Sequence, residues 1–338
     1  MAAPSPRPLL PEAPAIHEVR LAVRAWLAAY AVSEVTVALS GGADSAALTA
    51  AAVAEADAVH AVVVDHRLQE GSGDVAARAV EFARARGCTS AQVVPVDVDG
   101  PGGMEAAARV ARYRALDEHR ADRPVLLGHT LDDQAETVLL GLGRGSGLRS
   151  IRGMASFEPP WGRPLLGVRR ETTRRACAEL GYRPYEDPHN ADGRFTRVRL
   201  RHEVLPLLED VLGGGVAEAL ARTAGQLRED GDALDEAAVE LLARAVEDDG
   251  LEVAELTTAP AAVRRRAIRS WLLDHTVTPN EAMLRAVDDL VGAWRGQGPV
   301  AVGRGTRAGT RLVVSRRRGR LGVEYVDRQN GRATEEGR

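Results

Sequence analysis

Ser40-Gly41-Gly42-Ala43-Asp44-Ser45 (SGGADS, residues 40–45) is the stretch on which the fold turns. It follows the apolar run VTVAL at 35–39 and precedes an Ala-rich stretch at 46–56, the order strand, tight turn, helix start. Gly41 and Gly42 let the backbone come close to a ligand and tolerate positive φ. Ser40 and Ser45 add hydroxyls, and the first amides of the helix lack intrahelical acceptors. The positive end of the helix dipole favours an anion there, so the physical reading is a phosphate cradle. A Walker A loop would need its lysine. The chain has no lysine anywhere, so all 44 of its basic residues are arginine. The G-x-G-x-x-G spacing of a dinucleotide site is also missing.

Working outward, apolar runs alternate with helical patterns. The run VHAVVV at 59–64 ends in Asp65-His66, and a helix over 74–86 stops at Gly87. A strand at 91–96, the loop PGGM and a helix over 105–120 follow, then a strand at 125–127 ending in Gly128-His129 and a helix from 132. A first helix is expected over 16–30, from Val19, Val23, Trp26 and Leu27. Continuous apolar strands alternating with helices predict a doubly wound parallel α/β sheet, whose ligands bind beyond the carboxyl ends of the strands. SGGADS, Asp65-His66 and Gly128-His129 all fall there.

Two charged stretches border these ends. In GHTLDDQAET (128–137), Asp133 and Glu136 are three apart and share a helical face. They can be read as N-terminal capping and dipole complementation, or as a carboxylate pair holding Mg2+ or a cationic substrate. His129 has no second histidine at zinc-ligand spacing. In EAAARVARYRALDE (105–118), Arg109, Arg112 and Tyr113 can line one face toward the phosphates, or form a solvated charged face. Without lysine, arginine and a metal must supply the positive charge for a departing pyrophosphate. Further on, Arg197, Arg199 and Arg201 alternate, a comb suited to RNA phosphate or substrate, or to ordinary surface.

The 338 residues suggest two domains, and 45% hydrophobic and 27% charged residues describe an ordinary globular chain. A net charge of −4 leaves nucleic-acid binding to local arginine clusters. Cys88 and Cys177 form no C-x-x-C pair and fit small buried hydrophobes in a reducing cytoplasm. No signal sequence and no membrane span are expected. Residues 1–15, with five prolines, are expected to be a disordered tail, 16–212 the catalytic domain, 213–327 a helical and basic domain, and 328–338 a frayed tail. Gly213-Gly214-Gly215 reads as a hinge. The run 300–322 carries seven arginines and no acid between β-like pieces, which favours a small basic sheet laid on RNA, Arg316, Arg317 and Arg318 included.

The string S-G-G-x-D-S resembles the PP-loop of ATP pyrophosphatases, which cleave ATP between its α and β phosphates. A closer resemblance covers residues 34–210. SGGADS, VDHRLQ, AAARVARY, GHTLDDQAET, LGRGSGLRSIRGM, RPLL, EDPHN and TRVRLRHEVLP occur in the order found in the tRNA(Ile)-lysidine synthetase family. In that family the last motif usually carries Asn where Val198 stands here. The resemblance implies ATP-dependent adenylation of carbon 2 of the wobble cytidine in a CAU-anticodon isoleucine tRNA, and displacement of AMP by free L-lysine. It implies that Ser40, Gly41, Gly42, Ala43, Asp44 and Ser45 bind the ATP phosphates, with Asp44 a Mg2+ contact. Asp65, His66, Gly128 and His129 would complete the ATP site. Asp133 and Glu136 would hold the lysine ammonium groups, and Arg109 and Arg112 would lie near the base or the phosphates. Arg197, Arg199 and Arg201 would meet tRNA or the lysine carboxylate. In the C-terminal third the resemblance is to the tRNA-binding appendage, and a second C-terminal domain of longer members is not expected here. The oligomeric state is left open, a homodimer included. The rival readings are a tRNA cytidine thiolase, which would need paired cysteines; a small-molecule PP-loop ligase, which would not need the basic C-terminal region; and a non-catalytic RNA-binding module.

Overall fold

A computed structural model describes residues 10–69, 71–98, 103–145, 147–187, 192–304 and 310–327. The chain parts into two compact units between Leu227 and Arg228. The expected tail at 328–338, and positions 1–9 of the expected N-terminal tail, lie outside the described residues. Helix α1 (Pro14–Ala29) starts within that N-terminal span. Proline suits a first helical turn, where its missing N–H has no intrahelical acceptor to lose.

In the first unit the order is β1 (Glu34–Ala38), α2 (Ala43–Glu55), β2 (Ala58–Asp65), α3 (Ser72–Arg86), β3 (Ser90–Pro95), α4 (Met104–His119), β4 (Val125–Leu126) and α5 (Leu131–Arg144). Then come α6 (Leu148–Ile151), β5 (Phe157–Glu158), β6 (Trp161–Gly162), α7 (Arg170–Glu179), α8 (Thr196–Arg199), a π-helical turn over Leu200–Val204 and α9 (Leu205–Val211). The sheet order is β3-β2-β1-β4-β6-β5. All pairs are parallel except the β5–β6 hairpin at one edge. From β1 the chain winds outward through β2 and β3, then returns to the other side of β1 as β4. That reversal opens a crevice between the carboxyl ends of β1 and β4, where such sheets bind ligands. SGGADS leaves β1 there, and Gly128-His129 leaves β4.

Strand periodicity divides the core. Val35, Val37 and Leu39 face one layer with Ile16, Val19, Leu48 and Leu165, whereas Ala38 faces the other with Leu116, Val125 and Leu127. Helix α2 is buried from Ser45 to Val53, and its alanines allow close approach to the sheet. Its weak amphipathicity follows from burial on every side. Leu48 and Leu116 are fully buried, and truncating either to alanine should cost about 2–5 kcal/mol.

Helix α10 (Val216–Ala245) runs across the boundary between the units. The three glycines expected as a hinge all have positive φ, and Glu209 accepts from Val216 N at 3.0 Å and Ala217 N at 3.1 Å at the start of α10. The second unit adds β7 (Val246–Glu247), β8 (Gly250–Glu252), α11 (Val253–Thr257), α12 (Ala261–Asp274), α13 (Glu281–Gly292), β9 (Val300–Arg304), β10 (Thr310–Arg317) and β11 (Arg320–Asp327). Its sheet is antiparallel, in the order β7-β8-β11-β10-β9. Leu241, Leu251, Ile268, Trp271, Val287 and Val314 fill its core. Among the described residues no helix is long and apolar enough to cross a membrane.

Candidate active site

The SGGADS turn is held by its own hydroxyls and by the segment after α7. Ser40 N donates to Ser45 Oγ at 3.1 Å, the two hydroxyls lie 3.0 Å apart, and Ser45 Oγ donates to Gly42 O at 3.1 Å. Gly41 has φ +83°. Its carbonyl accepts from Tyr185 N at 3.0 Å and from the Tyr182 hydroxyl at 3.1 Å. Gly128 passes so close that a Cβ would sit 3.0 Å from Asp44 C and Ser45 N. No side chain caps the first turn of α2, which leaves its amides to an anion.

Two cavities meet at this turn. The first, about 430 Å3, runs along the ends of β1 and β2 and includes Val62, Val64, Asp65, His66 and Leu116. The second, about 450 Å3, includes Ala43, Asp44, Ser45, His129, Asp133, Arg170 and Arg201. Ser40, Gly42 and Arg112 line both. Among the described residues Arg112 has no hydrogen-bond or ion-pair partner, and burial lowers its pKa. An arginine without an acid partner at this junction has its donors open to an anion. His66 and His129 each bury an Nδ1 that has no partner among the described residues. Burial, with Arg112 next, lowers His66, and burial followed by Arg112, Arg163 and Arg109 brings His129 to about 4 despite Asp133. Burial therefore favours the neutral imidazole at both positions. Asp65 accepts from Arg67 N at 3.0 Å, holding the chain at the rim of the first cavity.

The second cavity is walled by a charge cluster. Asp133 occupies the third position of α5 in a capping box: its Oδ2 accepts from Thr130 N at 2.8 Å, and Asp133 N donates to Thr130 Oγ1 at 3.4 Å. Capping and site chemistry, alternatives on spacing alone, coexist in this one residue. Arg170 is the hub. Its Nη2 donates to Asp133 Oδ1 at 2.5 Å, its Nη1 to Glu136 Oε1 at 3.3 Å, and its Nε lies 3.8 Å from Asp44 Oδ2. Glu136 is 0% exposed and also accepts from Arg201 Nε at 2.8 Å, with Arg197 at 3.8 Å. Burial opposes charge on Asp133, yet Arg170 and the Thr130 hydrogen bonds hold its pKa below the usual carboxylate range. Asp44 differs. The Thr173 hydroxyl donates to it in a short hydrogen bond, but desolvation wins and lifts its pKa to about 6.

Several expectations need correcting. Arg197, Arg199 and Arg201 are not an extended comb but lie on α8 and the π-helical turn. In a helix the spacings i and i+4 share a face and i+2 does not. Arg197 and Arg201 therefore reach Glu136, whereas Arg199 points away and pairs with Glu203 at 2.8 Å. Val198, where the resemblance has Asn, is buried on the inner side. Arg109 does not join Arg112 in the cavities; it folds over the Tyr113 ring. Glu136 does not present a free carboxylate, being enclosed by arginines. In the second unit Arg316 donates to the carbonyls of Leu290 at 2.8 Å and Val291 at 3.3 Å, capping α13, and lies over Trp294. Arg317 pairs with Glu324 at 3.1 Å, and Arg318 is exposed at the β10–β11 turn with φ +48°. The residues missed by sequence reasoning are Arg170, Thr130 and Thr173. The signal for Arg170 was the pair Arg169-Arg170 at a helix start, where arginine opposes the dipole and needs a distant acid, and that for Thr130 was its T-x-x-D spacing to Asp133; Thr173 had none.

A resident metal has limited ligands. No group of three His, Cys, Asp or Glu able to hold one occurs among the described residues. Asp44 alone beside a phosphate cradle still fits Mg2+, which takes one or two carboxylates plus substrate phosphates. Burial pushes Cys88 and Cys177 up to about 12, and Cys177 Sγ donates to Ala43 O at 3.3 Å. Neither is a poised thiolate.

Residues 17–208 match the PP-loop domain family, and residues 251–322 match the TilS substrate binding domain. The tRNA(Ile)-lysidine synthase of Rhodococcus jostii is 65% identical over 323 residues, 95% of this chain and 99% of the relative. That of Nocardia farcinica is 64% identical over 318 residues, 93% and 100% of the two chains, and that of Mycobacterium tuberculosis 60% identical over 291, 85% and 89%. Among solved structures, a U34-tRNA thiolase from Methanococcus maripaludis superposes with a TM-score of 0.52 at 20% identity, over 64% of this chain and 80% of that one, a likeness of fold alone. With the PP-loop at the β1–β4 crevice and relatives matched nearly end to end, this chain belongs to the tRNA(Ile)-lysidine synthase family.

Proposed function

We propose that this chain uses ATP to adenylate carbon 2 of the wobble cytidine of CAU-anticodon isoleucine tRNA, and that free L-lysine then displaces AMP to give lysidine. The observation that carries this reading is the pair of cavities meeting at Ser40, Gly42 and Arg112. The first suits adenosine, between the apolar ends of β1 and β2 and the side chain of Leu116. The junction suits the phosphates, on the open amides of α2 and on Arg112. The second suits the reacting base and the amino acid.

The cluster of Asp133, Glu136, Arg170 and Arg201 carries both signs, as does zwitterionic lysine. Of the two carboxylates in this cluster Asp133 lines the cavity, so it receives an ammonium group. Arg170 or Arg201 receives the carboxylate of the amino acid. Glu136, fully enclosed, acts through the two arginines by fixing their forks. Asp44, with Thr173 holding one oxygen, would share Mg2+ with the phosphates; the ion would neutralise charge on the departing pyrophosphate. Catalysis here is positioning and charge compensation in a partly desolvated crevice, with no covalent intermediate on the protein. Arg197 and exposed Arg318 are the better candidates for RNA phosphate, since neither has the hydrogen-bonded acid that holds Arg199.

The test is label transfer. Purified protein, CAU-anticodon tRNA, ATP and labelled lysine should yield labelled tRNA, with none when ATP is omitted. Absence of transfer under all ATP and Mg2+ conditions would refute the reading.

A further inference from the structure

Beside α4 lies an open cleft of about 580 Å3, lined by Arg109, Val110, Tyr113, Arg114, Asp117 and Trp161. It shares no lining residue with the two cavities of the candidate active site. Its wall is aromatic: the Tyr113 and Trp161 rings meet edge to face with centroids 4.6 Å apart and an interplanar angle of 72°. The Arg109 guanidinium lies over the Tyr113 ring, 4.8 Å from its centroid, and its Nη2 donates to the Tyr113 hydroxyl at 3.2 Å. Val110 beside them is 68% exposed. Tyr113 and Trp161 pack only partly on the core around Leu116 and Val125, so half-buried aromatic surface remains at the cleft.

The charges point one way. Asp117 is taken by Arg120 at 2.7 Å, and Arg114 faces Glu118 at 3.9 Å. Arg109 has no carboxylate within ion-pair distance among the described residues. A guanidinium with no acid partner, stacked on a tyrosine next to a tryptophan, is the chemistry that takes an unpaired nucleobase and its phosphate: every base has a π-face, and the cation attracts the backbone. A protein partner would more often meet a wider apolar face rimmed by paired charges. The position also fits. Arg109 and Arg112 are three residues apart on α4, and Arg112 lines both cavities, so the cleft lies about one helical turn from the reacting centre.

We propose that this cleft is a stacking site for an unpaired base of the substrate RNA, flanking the base that reacts. The inference rests on the proposed function and adds a binding site to it. Tyr113 and Trp161 supply the stacking surface, and Arg109 supplies the cation.

The test uses the full chain and unmodified CAU-anticodon tRNA, with Tyr113→Leu, Trp161→Leu and the conservative Trp161→Phe. Each Leu variant should weaken tRNA binding about tenfold or more, the range measured when a stacked base loses its aromatic partner. Trp161→Phe should recover most of the affinity, and ATP affinity should match wild type in all three. Tryptophan emission should fall when tRNA binds to wild type, and that fall should shrink in Trp161→Phe. Wild-type tRNA affinity in both Leu variants would overturn the site while leaving lysidine formation intact. A Phe variant as weak as the Leu variant, or a parallel loss of ATP affinity, would make the aromatics structural and also overturn it. A wild-type protein that binds no tRNA would overturn the proposed function and this site with it.

Discussion

Replacing Asp44 with asparagine should make the fold more stable at neutral pH while removing ATP use. Asp44 starts from a carboxylate value of 3.8; burial raises it to about 6, against the Thr173 hydrogen bond and the charge of Arg170. A carboxyl group whose pKa is higher folded than unfolded binds its proton more tightly in the fold. Its favourable contribution is complete below its unfolded pKa of 3.8 and is lost as pH rises through about 6. Above that, the ionised group costs the native state up to about 3 kcal/mol. Asparagine never ionises, so its stability curve should meet that of wild type at the acid end and rise above it through the neutral range. The value of about 6 is already net of the attraction to Arg170 and of the Thr173 hydrogen bond, so the gain at neutral pH is at most about 3 kcal/mol. Denaturant unfolding at several pH values between about 4.5 and 7.5 measures the difference, with ATP binding followed in parallel. A gap that does not widen with pH would refute the desolvation argument. Wild-type ATP use by Asp44→Asn would remove this carboxylate from the nucleotide site.

Other expectations follow from the same geometry. Arg112→Ala should weaken ATP binding about 10- to 100-fold, the worth of a charge-assisted hydrogen bond, without lowering the unfolding midpoint; calorimetric titration measures it. Glu136→Ala leaves Arg170 and Arg201 in a buried cluster short of one acid, so it should lower stability by about 3–5 kcal/mol in thermal unfolding; unchanged stability would contradict the hub arrangement. Arg316→Ala should destabilise the second unit by about 1 kcal/mol, seen in its unfolding transition, with the salt dependence of tRNA binding unchanged. Arg318→Ala should do the reverse, leaving stability intact and reducing the salt slope by about one.

Much of this was legible in the sequence. The phosphate turn was, because a strand, two glycines and a helix start constrain the backbone locally. So were the sheet and the crevice, because buried parallel strands read as continuous apolar runs. The charge cluster was half legible: Asp133 and Glu136 share a face by spacing, but Arg170 meets them only when the first residue of α7 is brought to the start of α5, across 34 to 37 residues of sequence. Arg197, Arg199 and Arg201 were misread because a spacing of two implies one face in a strand and opposite faces in a helix. No local pattern shows that Arg316 caps α13, since its acceptors lie 25 and 26 residues earlier. The cleft was hidden for the same reason: Tyr113 and Trp161 come together through the pairing of β4 with β6.

The central claim is that ATP activates the RNA base before lysine acts. It is tested most directly by incubating the protein with CAU-anticodon tRNA and ATP labelled in its α-phosphate, with lysine withheld. The account predicts that label accumulates on the tRNA and is released as AMP when lysine is added. Label on the protein, or none on the tRNA at any time before lysine arrives, would contradict it.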